Sequence, residues 1–259
     1  MPLPNDSFLP GGVQINRLPN GNLVISEALV DILVASRNKY DWPNGTGATK
    51  SQSTIIKLEA MVAGLVASLD PTGAHSIVRK VSSWGGNNRK AQAVIDAASL
   101  SVQKCMLASI RHILNPATLR DGLDDLSQLP GLRLVMATKV YRFCCPNMGA
   151  AVDRHTSYFF NSLEIVDPNG SRRKSTNFRR EWSNGGHSKS RLAIYYPSGQ
   201  DTNRDEFVNS YLPLLAKIAN SLNESGVTYS CAATGTQKPW RPADVEMAAY
   251  YWWACNGSS

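Results

Sequence analysis

The chain has 259 residues, 42% hydrophobic and 18% charged, and its six Trp, nine Tyr and six Phe are core material that excludes a wholly disordered chain. Twenty-seven Lys and Arg against 20 Asp and Glu leave a net charge of +7, which favours a polyanionic partner, nucleic acid or an anionic membrane surface. The longest apolar run, 60–69, falls well short of the ~20 residues of a membrane span. The opening Met-Pro-Leu-Pro-Asn-Asp has no export signal, and Cys105, Cys144, Cys145, Cys231 and Cys255 lack the spacing of a disulfide scaffold, zinc site or iron–sulfur cluster. The expectation is a cytoplasmic protein with reduced thiols, no metal centre and no membrane partner.

In chain order, residues 1–30 are rich in Pro, Gly and Asn and read as an extended, irregular arm. A short helix is expected over 27–37, broken by Asp41-Trp42-Pro43-Asn44-Gly45. Ile55, Ile56, Leu58, Met61, Val62, Leu65 and Val66 set a helical period over 53–69, ended by Asp70-Pro71. Helices are expected over 74–82, from Asn87/Asn88 to 98, and over 101–114. Asn115-Pro116 starts another to 128, and one more spans 133–144. The stretch 165–191 carries Arg172, Arg173, Lys174, Arg179, Arg180, Lys189 and Arg191 and reads as a basic loop or hairpin leading to a strand at 192–196. Helices over 205–222 and 245–255 complete a mainly α fold with a small extended, basic insertion. An N-terminal segment, 1–70, is expected to pack on a 71–259 domain, the whole forming one unit.

The most informative stretch is 129–161. Leu129-Pro130-Gly131 between two helices allows a tight turn at Gly131 and presents the first amides of the next helix together, a phosphate-binding arrangement. A Pro-Gly turn alone is also just a turn. The residues beyond the turn are more specific: Ala137 at a helix-packing position, then Val152-Asp153-Arg154-His155, with Asp153 22 residues after Gly131.

This set resembles the helix–hairpin–helix DNA glycosylase superfamily, which includes endonuclease III, adenine glycosylase and 8-oxoguanine glycosylase. Trp84-Gly85-Gly86-Asn87-Asn88 and the segment Arg241 to Met247 extend the resemblance to bacterial proteins with an 8-oxoguanine-glycosylase fold, over roughly 75–255. The resemblance implies double-stranded DNA as partner, a monomer, no nucleotide cofactor and no metal redox centre, with room for a structural cation at the hairpin.

By the resemblance, Asp153 is the catalytic carboxylate that stabilises a developing oxocarbenium sugar and orients water; an Asp before Arg-His-Thr also suits a helix N-cap, and both roles can coexist. Val135 stands where bifunctional relatives carry a nucleophilic Lys, which implies base removal without strand cleavage. Lys139, one helical turn on, lines a base pocket or meets a phosphate. Asn88 or Asn87 fills the space of an extruded base with Trp84 stacking nearby, or else Asn caps a helix and Trp packs. Arg133, where the hairpin usually has Gly, contacts phosphate. Trp240 and Asp244 stack on and bind the flipped base, or form a core Trp and a first-turn Asp. Arg172, Arg173, Lys174, Arg179 and Arg180 supply further phosphate contacts or a solvated loop. His75, His112 and His187 have no ligand spacing, and His155 is expected to shape the local turn. The expected activity is monofunctional removal of a modified base, glucosylated hydroxymethylcytosine of phage DNA ahead of oxidised purines, with a non-enzymatic DNA-binding protein as the competing class.

Overall fold

Helix starts match the capping residues written into the sequence. The computed structural model describes residues 9–40, 52–86, 88–178, 181–182, 192–193 and 201–257. Helix α1 (Glu27–Asn38) begins behind Ser26, whose hydroxyl accepts from the Leu29 amide. Helix α2 (Gln52–Ala67) precedes α3 (Pro71–Trp84), capped by Asp70 with Pro71 in its first turn. Asn88 caps α4 (Arg89–Asp96) and Ser99 caps α5 (Leu100–Leu114). Each such cap satisfies amides that have no partner inside the helix, a gain of ~1 kcal/mol. The expected helix over 74–82 is longer than the apolar period suggested, because Asp70-Pro71 ends one helix and starts the next. After a 3₁₀ turn (Pro116–Thr118), α6 (Leu119–Gln128) and α7 (Leu134–Cys144) form the two arms of the hairpin, and α8 (Arg154–Ser162) comes next.

The expectation of an irregular arm over 1–30 is corrected in part. Strands β1 (Gln14–Arg17) and β2 (Leu23–Ile25) pair antiparallel. They join β3 (Glu164–Val166) and β4 (Arg172–Lys174) in a sheet ordered β2-β1-β3-β4, with β1 and β3 parallel. Three- and four-residue strands give too short an alternation to be read, and the β1–β3 pairing joins distant parts of the chain. Two further antiparallel pairs are β5 (Glu181–Trp182) with β6 (Leu192–Ala193), and β7 (Tyr229–Cys231) with β8 (Thr236–Lys238). The β7–β8 hairpin went unforeseen. The basic stretch is therefore a hairpin in its first part, turning at Asp167 to Gly170.

Beyond it lie α9 (Asp201–Asp205), a π-helical turn (Glu206–Tyr211) and α10 (Leu212–Glu224). Pro213 has no amide to donate, and the widened turn immediately before it accommodates that loss. The last helix, α11 (Pro242–Asn256), is buried at every position from Pro242 to Tyr250, with α1, α8 and α10 packed around it. A helix buried on all sides, with its few charged residues partnered, sits in the centre of a core. Ile15, Leu29 and Leu33 are fully buried in the same apolar cluster as Val140, Phe159 and Val245, so the N-terminal strands and α1 are part of the core. Among the described residues, no single helix is long and apolar enough to cross a membrane.

Candidate active site and nucleic-acid interface

The hairpin depends on one glycine. Gly131 has φ +80°, and a Cβ there would sit 2.6 Å from the carbonyl oxygen of Ala91. Only glycine fits both the backbone and the gap. The close approach docks the α6–α7 turn on α4, which joins the turn to the Trp84–Asn88 region. Helix α7 starts behind Arg133, an exposed N-cap residue that makes no side-chain capping hydrogen bond to its first amides. Arg79 and Lys80 of α3 and Arg89 and Lys90 of α4 lie on the helices that flank the Trp-Gly-Gly-Asn-Asn segment, and Lys80, Arg89 and Lys90 are exposed. Sequence reasoning passed over these four; the signal was two basic pairs on helices that lead into and out of that segment.

Asp153 is the N-cap of α8 and is partly exposed. Its Oδ1 accepts from the His155 and Thr156 amides at 2.8 and 3.0 Å, while the Thr156 hydroxyl accepts from the Asp153 amide at 2.8 Å. This capping box fixes the carboxylate and leaves Oδ2 without a hydrogen bond among the described residues. The preceding loop is held from two sides. The Val152 amide donates to Thr138 Oγ1 on α7 at 3.2 Å, and the Tyr211 hydroxyl donates to the Ala151 carbonyl at 2.9 Å. The π turn before Pro213 thus positions a residue that fixes the loop before Asp153.

Lys139 of α7 meets Trp84 at the end of α3, and its charge acts on His155 and Glu246, as does that of Asp153. Lys139 is buried, its Nζ donates to the Gly85 carbonyl at 3.0 Å and lies 5.9 Å from the Trp84 ring centroid. Trp84 itself packs edge-on against Phe143 at 4.9 Å. Asn88 Oδ1 accepts from the Ala91 amide at 2.9 Å and is a helix cap in this structure. Asn87, Arg179 and Arg180 lie outside the described residues.

Two ionisable groups complete the neighbourhood. Glu246 on α11 has its carboxyl pushed up to about 8 by burial, with the Asp153 charge adding to the effect and Arg142, Lys139 and an Ala151 hydrogen bond opposing it. Arg142 Nε lies only 3.6 Å from Glu246, yet burial outweighs that attraction, and the guanidinium has a second partner in Glu59 at 3.3 Å. Glu246 therefore holds its proton at neutral pH. His155 is lowered below its ordinary value by burial, and further by Arg154 and Lys139, against Asp153. Arg154 Nη2 lies 3.0 Å from His155 Nε2, and a guanidinium can only donate. Nε2 is then the bare nitrogen, and the ring proton sits on the buried Nδ1, which has no hydrogen-bond partner among the described residues. His155 stacks edge-on to Tyr250 at 5.0 Å, whose phenol burial keeps neutral. Glu246 and Arg142 were missed in the sequence, although a charged residue inside an apolar helical run is the available signal.

Trp240 and Asp244 do not open onto a base here, and this corrects the expectation. Asp244 is fully buried. Its Oδ1 accepts from Arg37 Nε and Nη2 at 3.1 and 2.8 Å and from the Tyr229 hydroxyl at 2.9 Å. Its Oδ2 accepts from the Arg241 amide and Nε at 3.1 and 2.9 Å. Burial would raise this carboxyl, but Arg37 and Arg241 hold it below the ordinary range. No acceptor site is left for a ligand. Trp240 is 3% exposed and packs edge-on against Tyr229 at 5.2 Å. The sequence offered no hint of Arg37 as the partner, because it lies 207 residues away.

The described part of the basic segment sits on β4. Arg172 pairs with Glu164 at 2.8 Å, and Arg173 lies 3.6 Å from Asp167, so two of its cations have acidic neighbours. Arg173 and Lys174, with Arg17 and Lys217, line a polar recess of about 220 Å³ against one acid, Glu206. No family model, curated protein or solved structure matches the chain.

Proposed function

We propose that the protein is a monofunctional DNA glycosylase with helix–hairpin–helix architecture, hydrolysing the N-glycosidic bond of an extruded, modified base. The observation that carries the reading is the state of Asp153: one carboxylate oxygen is fixed by a helix N-terminus and the other is open. As the C1′–N bond breaks, its electron pair leaves with the base and the sugar gains oxocarbenium character. The open oxygen stabilises that charge and orients a water, whose oxygen adds to C1′ and whose proton passes to the carboxylate. Glu246 keeps its proton, so the neighbourhood presents a hydrogen-bond donor instead of a second negative charge. Lys139 and Trp84 supply a cation and an aromatic face for the base. Val135 cannot form a Schiff base, so the product is an abasic site in an uncut strand. Phosphates engage Arg133, the first turn of α7 and the basic pairs Arg79-Lys80 and Arg89-Lys90.

The substrate favoured by the resemblance is DNA carrying glucosylated hydroxymethylcytosine, ahead of 8-oxoguanine. The test is incubation of the protein with phage DNA of that composition, with an 8-oxoguanine duplex and with unmodified DNA, and mass spectrometry of the released bases. A base released from one modified substrate and none from unmodified DNA supports the proposal. Salt-sensitive binding with no release from any of the three overturns it. That outcome favours the second reading, a non-enzymatic DNA-binding protein in which the capping box is Asp153's whole role.

A further inference from the structure

A second cavity, of about 400 Å³, lies between α1, α2 and the β7–β8 hairpin, and Asp153, Lys139, His155 and Glu246 are not in its walls. Its volume is in the range of small-ligand sites. Ile55, Ile56, Pro239 and the Tyr229 ring make much of the wall apolar. Gln52, Asn147 and Thr234 add neutral polar groups, and the charged part is mostly cationic: Arg37, Arg241 and Lys238 line the cavity together with one acid, Glu59.

Arg37 is the built element. Its side chain is 5% exposed, and it stacks on Tyr229 with Cζ 4.3 Å from the ring centroid. Nε and Nη2 are used by Asp244, and the buried Nη1 has no hydrogen-bond partner among the described residues. A buried guanidinium nitrogen without an acceptor is unfavourable, and Arg37 is one of the residues that line the cavity, where its charge favours an oxyanion. The charge balance points the same way. Three cations of the wall, Arg37, Arg241 and Lys238, face Glu59 in the wall and Asp244 behind it, and Glu59 is shared between Arg241 at 3.2 Å and Arg142, outside the wall, at 3.3 Å. The thiol of Cys231 lies in the same wall. Burial raises it, but hydrogen bonds from Thr234 and the Ala233 and Thr234 backbone, together with Arg37, bring it below its ordinary value.

We propose that this cavity binds a small organic oxyanion, a carboxylate or phosphate carried on an apolar or aromatic body, with the charged head toward Arg37 and Lys238 and the body against Ile55, Ile56 and Pro239. The inference is independent of the role of Asp153.

The test uses the full-length protein and two probes, 1-naphthoate for the carboxylate arm and deoxycytidine 5′-monophosphate for the phosphate arm. Their neutral counterparts, 1-naphthalenemethanol and deoxycytidine, are the controls, and calorimetry is the readout. Ile56 is 40% exposed and Lys238 lies on an exposed strand, so Ile56→Glu and Lys238→Ala are both expected to fold. At least one anion should bind one-to-one below 1 mM (~4 kcal/mol of binding, the floor for a specific site). Its neutral counterpart should bind at least about tenfold more weakly. Both substitutions should weaken the anion by a similar factor, and Arg173→Ala in the separate polar recess should not. The arm that binds identifies the head group. Binding of neither anion, equal binding of the neutral counterparts, or binding that survives both substitutions overturns the proposal.

Discussion

Asp153 and Asp244 occupy comparable places, each at the start of a helix and each partnered by backbone amides, and they end in opposite states. Asp153 commits one oxygen to its capping box and keeps the other open at a partly exposed position. Asp244 commits both oxygens to two arginines, a tyrosine and the Arg241 amide, and is sealed. Residue type and helix position cannot separate an open carboxylate from a sealed one; the count of committed acceptors can. The same contrast distinguishes Glu246 from Asp244. Glu246, with burial dominant, is held protonated, whereas Asp244, with two guanidinium partners, is held ionised.

The largest expected effect comes from breaking the sealed node. Asp244→Ala leaves Arg37 and Arg241 without their shared carboxylate, and loss of one partner of a buried ion pair costs about 3–5 kcal/mol. Urea unfolding should register it at neutral pH. The carboxyl is held below its ordinary value, so its contribution is present above about pH 4 and is lost as pH falls through the lowered value. Wild type and variant should therefore converge in acid.

Glu246 gives the opposite pH dependence. A carboxyl raised to about 8 binds its proton more tightly in the folded state, so its stabilising contribution is full below about pH 4.5 and is lost as pH rises towards 8. Glu246→Gln mimics the protonated form. It should lie close to wild type near pH 5 and be more stable at pH 9, by an amount on the order of 4 kcal/mol. Thermal unfolding across that range checks the sign, and a variant weaker than wild type at pH 9 would show that Arg142, not burial, controls the group.

Gly131→Ala tests the docking of the hairpin on α4. The left-handed backbone and the Ala91 carbonyl together should cost about 1–3 kcal/mol. DNA affinity should fall more than stability alone explains. The smallest effect is expected at Arg133. Its replacement by Ala should leave stability within about 0.5 kcal/mol and lower the slope of log K against log salt by about 1. An unchanged slope would remove Arg133 from the phosphate contacts.

Much of the helical frame was legible because its signals are local. The 3.6-residue period marked α2 and α5, and Asp70-Pro71, Asn115-Pro116 and Leu129-Pro130-Gly131 marked helix ends. Asp153 was legible as a cap for the same reason. The sheet was not: β1 finds β3 across most of the chain, and three residues give no period to read. The fate of Trp240 and Asp244 was equally out of reach, since Arg37 acts from the far end of the sequence. Glu246 was half legible, as a charge in an apolar helix, but its raised carboxyl depends on how α7, α8 and α11 enclose it.

Whether the open oxygen of Asp153 does chemistry decides between an enzyme and a binding protein. Asn caps a helix as well as Asp does, so Asp153→Asn should keep stability within about 1 kcal/mol and keep DNA binding. Single-turnover base release from the modified substrate, compared between wild type and Asp153→Asn at equal bound fraction, is the direct measurement. An active Asp153 gives a loss of at least about 100-fold in rate in the variant, with abasic sites in uncut strands from the wild type. Release by the folded variant at the wild-type rate would contradict that role.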